Sequence, residues 1–124
     1  MLWTFNNNEP IYLQIATKLK LQIVNNEYKL GDKLPSVREL ALITKTNPNT
    51  IQKALQELEN EGIIYTERTN GKFISDNKEL IEKFKKDYVE KLLKEFLSTM
   101  KEMKINKNEI IELLRGIEDE DTRN

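Results

Sequence analysis

The sequence predicts a mostly α (α+β) fold, and three observations predict it. Apolar residues recur at helical spacing over most of the 124 residues. Between residues 63 and 75 the period drops to two, around an Asn-Gly dipeptide. Past residue 76 one long, charged segment carries an apolar stripe that outruns the small region before it.

Residues 1–9 are polar and Asn-rich apart from Trp3 and Phe5, and Pro10 then stands where proline is tolerated, in the first turn of a helix. Ile11, Ile15, Leu19 and Ile23, flanked by Tyr12 and Ala16, form one stripe that predicts a helix over about residues 10–25. Asn25-Asn26 ends it, and the loop to Leu34-Pro35 is punctuated by Gly31. Ser36-Val37-Arg38-Glu39 is a helix start, because the Ser36 side chain can accept from the Glu39 amide while the Glu39 carboxylate returns to the Ser36 amide. Val37, Leu40 and Ala41 give this second helix a short apolar face, and it stops near residues 44–46. Asn47 is the next cap, with Pro48 at the first helical position. The third helix runs to Glu61 with Ile51, Ala54, Leu55 and Leu58 inward, and Gly62 supplies its stop. Two short helices joined by so brief a turn are a helix-turn-helix arrangement. Ile63–Glu67 and Lys72–Ser75 are β-prone, with Asn70-Gly71 predicted as the tight turn between them. A hairpin directly after the third helix is a wing, so residues 1–76 read as a winged helix-turn-helix domain.

Residues 77–124 read as a two-helix dimerisation region. Asp76 and Glu79 form a capping pair, and Leu80, Phe84, Tyr88, Leu92, Phe96 and Met100 repeat every four residues, broadened by Ile81, Val89, Leu93 and Leu97. Such a helix is roughly 40 Å long at 1.5 Å per residue. Asn106 with Glu109 caps a last short helix over 107–117, which carries Ile110, Ile111, Leu113, Leu114 and Ile117. The long stripe has two readings, folding back on its own domain or covering a second copy. It is too wide for the last helix alone, and burial at about 25 cal/mol per Å2 favours the second copy. Glu118–Asn124 is predicted to be a disordered acidic tail.

Composition excludes several functions. The chain has no cysteine and no histidine, so it offers no disulfide, no thiolate and none of the commonest metal ligand and general base. No metal and no cofactor is expected. Glu57, Glu59 and Glu61 are carboxylates on or beside a helix without a Gly-rich phosphate loop nearby, which argues against an enzyme. No apolar run approaches the ~20 residues of a membrane span, and the N-terminus lacks the features of a signal peptide, so the expected location is the cytoplasm. Twenty basic residues against 21 acidic give a net charge of −1, which argues mildly against nucleic acid. Residues 1–76 hold nine of each sign. A neutral domain presents a basic face only if its acids point elsewhere.

The third helix nonetheless has the chemistry for DNA. With its apolar set inward, Asn49, Gln52 and Lys53 face out, and Asn or Gln can bind adenine at both N6 and N7, discriminating by about 1–3 kcal/mol. Arg38 and Lys53 suit phosphates, and the free amides after Ser36 offer a further phosphate contact. Each assignment has a plainer rival. An exposed Asn-Thr-Gln-Lys surface is ordinarily a solvated helix face, and Arg38 has an alternative in a surface ion pair with Glu39 or Glu61. Asn70-Gly71 serves the turn whether or not it meets DNA, and Tyr12, Tyr65 and Phe73 read as core more readily than as stacking platforms.

The order of motifs resembles the GntR family of bacterial transcription regulators. The resemblance rests on Pro10–Ile15, then Gly31-Asp32-Lys33-Leu34-Pro35-Ser36-Val37-Arg38-Glu39-Leu40-Ala41, then Asn47–Ile51, then Ala54–Gly62, and it covers residues 10–75 without a gap. Pro48-Asn49-Thr50 and the short C-terminal region resemble the YtrA-like branch, whose members are dimers without a large ligand-binding domain. The resemblance implies that Arg38 contacts DNA from the second helix and that Asn49, Thr50, Gln52 and Lys53 lie on the recognition helix. Ser36 and Asn47 stand at the helix starts beside them, and the tip Asn70-Gly71-Lys72 matches a wing that reaches the minor groove. Two departures stand out. Pro48 occupies a position where many relatives outside the branch have arginine, and the wing lacks the usual arginine flanked by two glycines.

The expected function is thus a transcriptional regulator, by resemblance a repressor of transporter genes, that binds a palindromic operator in double-stranded DNA as a homodimer. Nothing in the residues separates repressor from activator. The alternative is a winged-helix protein-interaction module without specific DNA binding. Any effector is small, near the dimer interface or between the domains.

Overall fold

The computed structural model describes residues 3–121. The chain divides into two compact units, one ending at Lys85 and one starting at Lys86. Seven elements follow in order: α1 (Ile11–Val24), α2 (Val37–Thr44), α3 (Pro48–Asn60), β1 (Ile64–Glu67), β2 (Gly71–Ile74), α4 (Lys78–Glu102) and α5 (Lys107–Asp121).

The first unit has a single core. Ile15, Leu19 and Ile23 of α1, Leu40 of α2, Ile51, Ala54, Leu55 and Leu58 of α3, and Ile63, Ile64 and Ile74 around the hairpin are all nearly inaccessible. Each helix therefore buries the face its apolar spacing predicts. The helix ends follow the sequence as well. Asn26 at φ 62 turns the chain after α1, with Glu27 N–H donating to Gln22 O. Gly62 at φ 76 ends α3, where its N–H donates to Glu59 O and that of Ile63 to Leu58 O. These paired bonds satisfy carbonyls the helix would otherwise leave open.

The hairpin is antiparallel, pairing Ile64 with Ile74, Tyr65 with Phe73, Thr66 with Lys72 and Glu67 with Gly71. The loop before α2 extends it: Ile74 N–H donates to Asp32 O at 2.8 Å and Leu34 N–H to Lys72 O at 2.9 Å. The wing is thus held from both sides, by β1 and by residues 31–34. Its aromatics differ from the expectation. Tyr65 is 40% exposed and stacks on Phe73, ring centroids 5.8 Å apart, so the pair covers the hairpin's surface while Tyr12 alone of the three packs on the core.

A second correction concerns the start of α4. Asn77, not Asp76, is its cap: Asn77 Oδ1 accepts from Leu80 N–H at 3.2 Å, while Asn77 N–H donates to Ser75 Oγ at 3.1 Å. The Ser75 bond fixes Asn77 one residue before the helix, which places its short side chain over the third helical amide. The first turns of α4 belong to the first unit, with Ile81 in the core and Phe84 against it.

In the second unit, Lys104 at φ 59 ends α4, and Ile105 N–H donates to Met100 O. The expected Asn106–Glu109 box forms, with Glu109 N–H donating to Asn106 Oδ1 at 2.9 Å and Asn106 N–H to Glu109 Oε1 at 3.3 Å. The backbone of residues 118–121 continues α5 where a disordered tail was expected, since this acidic run contains no Gly or Pro and glutamate is a good helix former. Residues 122–124 of that tail lie outside the described residues.

Candidate nucleic-acid interface

The turn between α2 and α3 sets the attitude of α3. Lys45 at φ 56 takes the left-handed conformation, and Thr46 N–H donates to Ala41 O at 3.1 Å. Thr44 is buried at the bend, where its hydroxyl donates to Leu40 O and meets Thr46 Oγ1, both at 2.7 Å. Asn47 Oδ1 then accepts from Asn49 N–H at 2.8 Å, with Pro48 at the first helical position. With Ile51, Ala54, Leu55 and Leu58 inward, Asn49, Gln52 and Lys53 are exposed and Thr50 is half-buried. The Lys53 ammonium stands 5.9 Å from the centroid of the Tyr12 ring. The outward face at the start of α3 is therefore polar, continuous and anchored from behind.

At the start of α2 the predicted capping box forms in full. Glu39 N–H donates to Ser36 Oγ at 3.1 Å, and Ser36 N–H donates to Glu39 Oε1 at 3.3 Å. The amides of Val37 and Arg38 are left without an acceptor among the described residues, at the end of a helix where an anion is favoured. Arg38 is exposed and has no partner among the described residues. Its rival reading does not form, because Glu39 is turned back into the cap and Glu61 is paired with Lys20 at 2.5 Å.

The wing departs from the sequence reading in two ways. Its turn spans Glu67–Asn70, closed by Asn70 N–H donating to Glu67 O at 3.2 Å, and Gly71 follows at φ 100 as the first residue of β2. The tip is therefore Arg68-Thr69, with Asn70-Gly71 on the returning side. The pairing of Glu67 with Gly71 makes a three-residue loop, so the positive φ is taken up just after the turn instead of inside it. Asn70 Nδ2 donates to Glu67 Oε2 at 3.2 Å. Lys72 also turns from its expected role. It is half-buried, donating to Thr66 Oγ1 at 2.8 Å and lying 3.5 Å from Glu59 Oε2. Thr66 Oγ1 in turn donates to Glu59 Oε1, which with the nearby Lys72 charge holds the Glu59 carboxyl below its ordinary range. Lys72 is thus an anchor between wing and α3. The sequence reading missed Arg68, which is exposed at the tip and without a partner among the described residues. The only available signal was its place within the hairpin loop.

Between the wing and the start of α2 lies a groove of about 430 Å3, lined among others by Lys33, Ser36, Arg68 and Asn70. Glu67 also lines it, accepting only from the neutral Asn70 amide, while three other acids of the domain are engaged elsewhere. Glu39 is in a cap, Glu59 faces Thr66 and Lys72, and Glu61 faces Lys20.

The other predicted surface is the α4 stripe. Leu80 and Phe84 serve the first unit: a Cβ at Gly62 would lie 3.4 Å from Leu80 Cδ2, and Phe84 packs on the core. In the second unit Tyr88 and Met100 are half-buried, whereas Leu92 and Phe96 are 46% and 40% exposed. Val89, Leu93 and Leu97 beside them are exposed too, as are Leu113, Leu114 and Ile117 on α5, where Ile110 is buried. Among the described residues no group of acidic side chains is placed to hold a metal, and no helix is long and apolar enough to cross a membrane.

Comparison with known proteins agrees with this geometry. The family model for bacterial regulatory proteins of the gntR family matches residues 11–74. An uncharacterised HTH-type transcriptional regulator, YhcF of Bacillus subtilis, is 44% identical over 108 residues, 87% of this chain and 89% of the relative. The HTH-type transcriptional repressor YtrA of the same organism is 54% identical over 71 residues, 57% of this chain and 55% of its own length. Among solved structures, a GntR family transcriptional regulator from Listeria monocytogenes superposes with a TM-score of 0.86 at 43% identity, covering 90% of this chain and 98% of its own. A helix-turn-helix with a wing, matched throughout by regulators of one kind, places the chain in the GntR family, as a DNA-binding transcriptional regulator of the YtrA type.

Proposed function

We propose that the chain acts in the cytoplasm as a homodimeric repressor that reads an inverted-repeat operator, with one α3 per half-site in the major groove. The observation that carries this reading is the exposed polar start of α3. Asn49 and Gln52 project from a helix whose opposite side is locked into the core, the arrangement a base-reading helix needs. Arg38 and the open amides of α2 supply phosphate contacts on one flank, and Arg68 at the wing tip supplies a cation on the other. Thr50, half-buried, supports the face, and Lys53 reaches it from beside Tyr12.

The dimer follows from the second unit. Val89, Leu92, Leu93, Phe96 and Leu97 form a stripe that this unit leaves in water, and a second copy presenting the same stripe covers it symmetrically. Linking two readers raises the effective concentration of the second, which a small domain needs for a tight site. Repression is supported by the YtrA relative, which is named a repressor. Transporter genes are the proposed targets on the resemblance alone.

Selection from random DNA, followed by gel shift on the recovered site, tests the reading. Gln52→Ala weakens the selected site by about 1–3 kcal/mol and relaxes preference at one base pair, whereas Arg38→Ala weakens all sequences alike and flattens the salt dependence. If both variants bind as the wild type does, the face is misassigned. Wild-type binding that does not fall with salt points instead to a protein-interaction module.

A further inference from the structure

Lys20 stands where three helices meet, and neither family nor motif gives it a role. It lies on α1, yet its ammonium is 2.5 Å from Glu61 Oε2, at the end of α3, and 5.2 Å from the centroid of the Phe84 ring, in the second turn of α4. Its side chain is only 14% exposed, so solvent screens this junction less than it screens an ordinary surface pair. A lysine here costs desolvation that an apolar residue would avoid, and what it gains is direction. The cation fixes the carboxylate on one side and the ring face on the other.

One turn earlier on α4, Leu80 rests beside Gly62, the residue that ends α3, and Ile81 is in the core. The root of α4 is thereby held to the end of the recognition helix at two successive turns. Leu80 makes a non-directional apolar contact, and Lys20 makes a directional one.

We propose that Lys20 is a positioning residue for operator recognition: by tying the end of α3 to the root of α4 it fixes the direction in which α4 leaves the DNA-reading domain, and so sets the half-site spacing a dimer accepts. The inference rests on the dimeric DNA-binding reading above. Both recognition helices of a dimer are carried on α4 roots, so a root free to swing accommodates several spacings, whereas a clamped one accepts one.

The test uses the full chain and operators that share the selected half-site but differ in spacer by a base pair at a time. Wild type prefers one spacer by roughly tenfold or more over its neighbours, as helical geometry demands of a rigid dimer. Lys20→Met keeps the apolar stem and removes the charge, and it is expected to bring the spacers within about threefold of one another while preference within the half-site persists. Lys20→Arg restores the selectivity. Glu61→Gln, a change at a half-exposed carboxylate that leaves the Lys20 packing in place, shifts the profile the same way and serves if Lys20→Met fails to fold. The inference is overturned if Lys20→Met or Glu61→Gln keeps the wild-type spacer profile, or lowers affinity equally for every spacer. A wild type that selects no DNA overturns the functional reading itself, and this inference with it.

Discussion

The two units treat apolar residues in opposite ways. In the first, Ile15, Leu19, Leu40, Ile51, Leu55, Leu58 and Ile74 are at most 1% exposed, and helices and hairpin close around them. In the second, α4 and α5 bury Ile110 but leave Leu93 at 53%, Leu113 at 61% and Ile117 at 54%. Both sequences are amphipathic, so periodicity alone does not tell a finished core from an unfinished one. What differs is the supply of partners: three helices and a hairpin in one case, one long helix and one shorter one in the other. The first unit closes its own core, and the second leaves its apolar stripe exposed.

The largest effect should come from charging the unfinished half. Leu93→Glu places a carboxylate in the stripe while leaving every residue of the first core untouched. Sedimentation is expected to show a monomer, and operator affinity to fall by about 100- to 10,000-fold as the second reader loses its effective concentration. The melting of the first unit should not change. A monomeric variant that still binds the operator like the wild type would break the comparison, because the exposed stripe would then have no bearing on reading.

The converse substitution acts inside the finished core. Leu55, 1% exposed, touches the heart of the first unit. Leu55→Ala removes buried carbons and leaves a cavity, which costs about 2–5 kcal/mol. Against a total of about 5–15 kcal/mol for a domain, that approaches unfolding. Denaturant titration followed by Trp3, the single tryptophan, checks it. Trp3 packs on this core, with the Lys18 ammonium 5.6 Å from its ring centroid. A loss below the range of ordinary surface changes would mean that the core is not closed as described.

What the sequence revealed follows the same division between local and distant causes. The Ser36–Glu39 and Asn106–Glu109 boxes, the Asn47 cap with Pro48, and the Gly62 stop are decided by neighbours within a turn of helix, and all form as read. The exposed face of α3 was legible because its apolar complement has a clear helical period. The wing was not, since its register is set from outside the hairpin. Residues 31–34 pair with β2, and Lys72 reaches across to Glu59, contacts between positions far apart in sequence. They carry the tip to Arg68-Thr69 and draw Lys72 inward. Leu80 and Phe84 belong to the same unbroken stripe as Leu92 and Phe96, and only the packing at Gly62 and Lys20 shows where one surface ends and the next begins.

The smallest predicted effect lies on the tether between wing and recognition helix. Glu59 accepts from Thr66 and faces Lys72, and these contacts outweigh its partial burial, so its carboxyl titrates below the ordinary value of 4.5. A carboxyl whose value is lowered by folding adds stability that is fully present above the unfolded value and is lost as pH falls through the folded one. At neutral pH the tether is therefore complete, and acidification below about 4.5 should release it. Protection from hydrogen exchange at Tyr65 and Phe73, paired across the hairpin, reads the wing directly, apart from the many other carboxylates that protonate over the same range. Glu59→Gln keeps a hydrogen-bond acceptor but not the charge, so protection of these two amides, relative to the intrinsic exchange rate at each pH, should be lower at pH 7 and should no longer fall on acidification. If wild type and variant give the same exchange profile down through pH 4, Lys72 and Thr66 hold the wing without Glu59. Lys72 would then regain the outward role that the sequence first suggested for it.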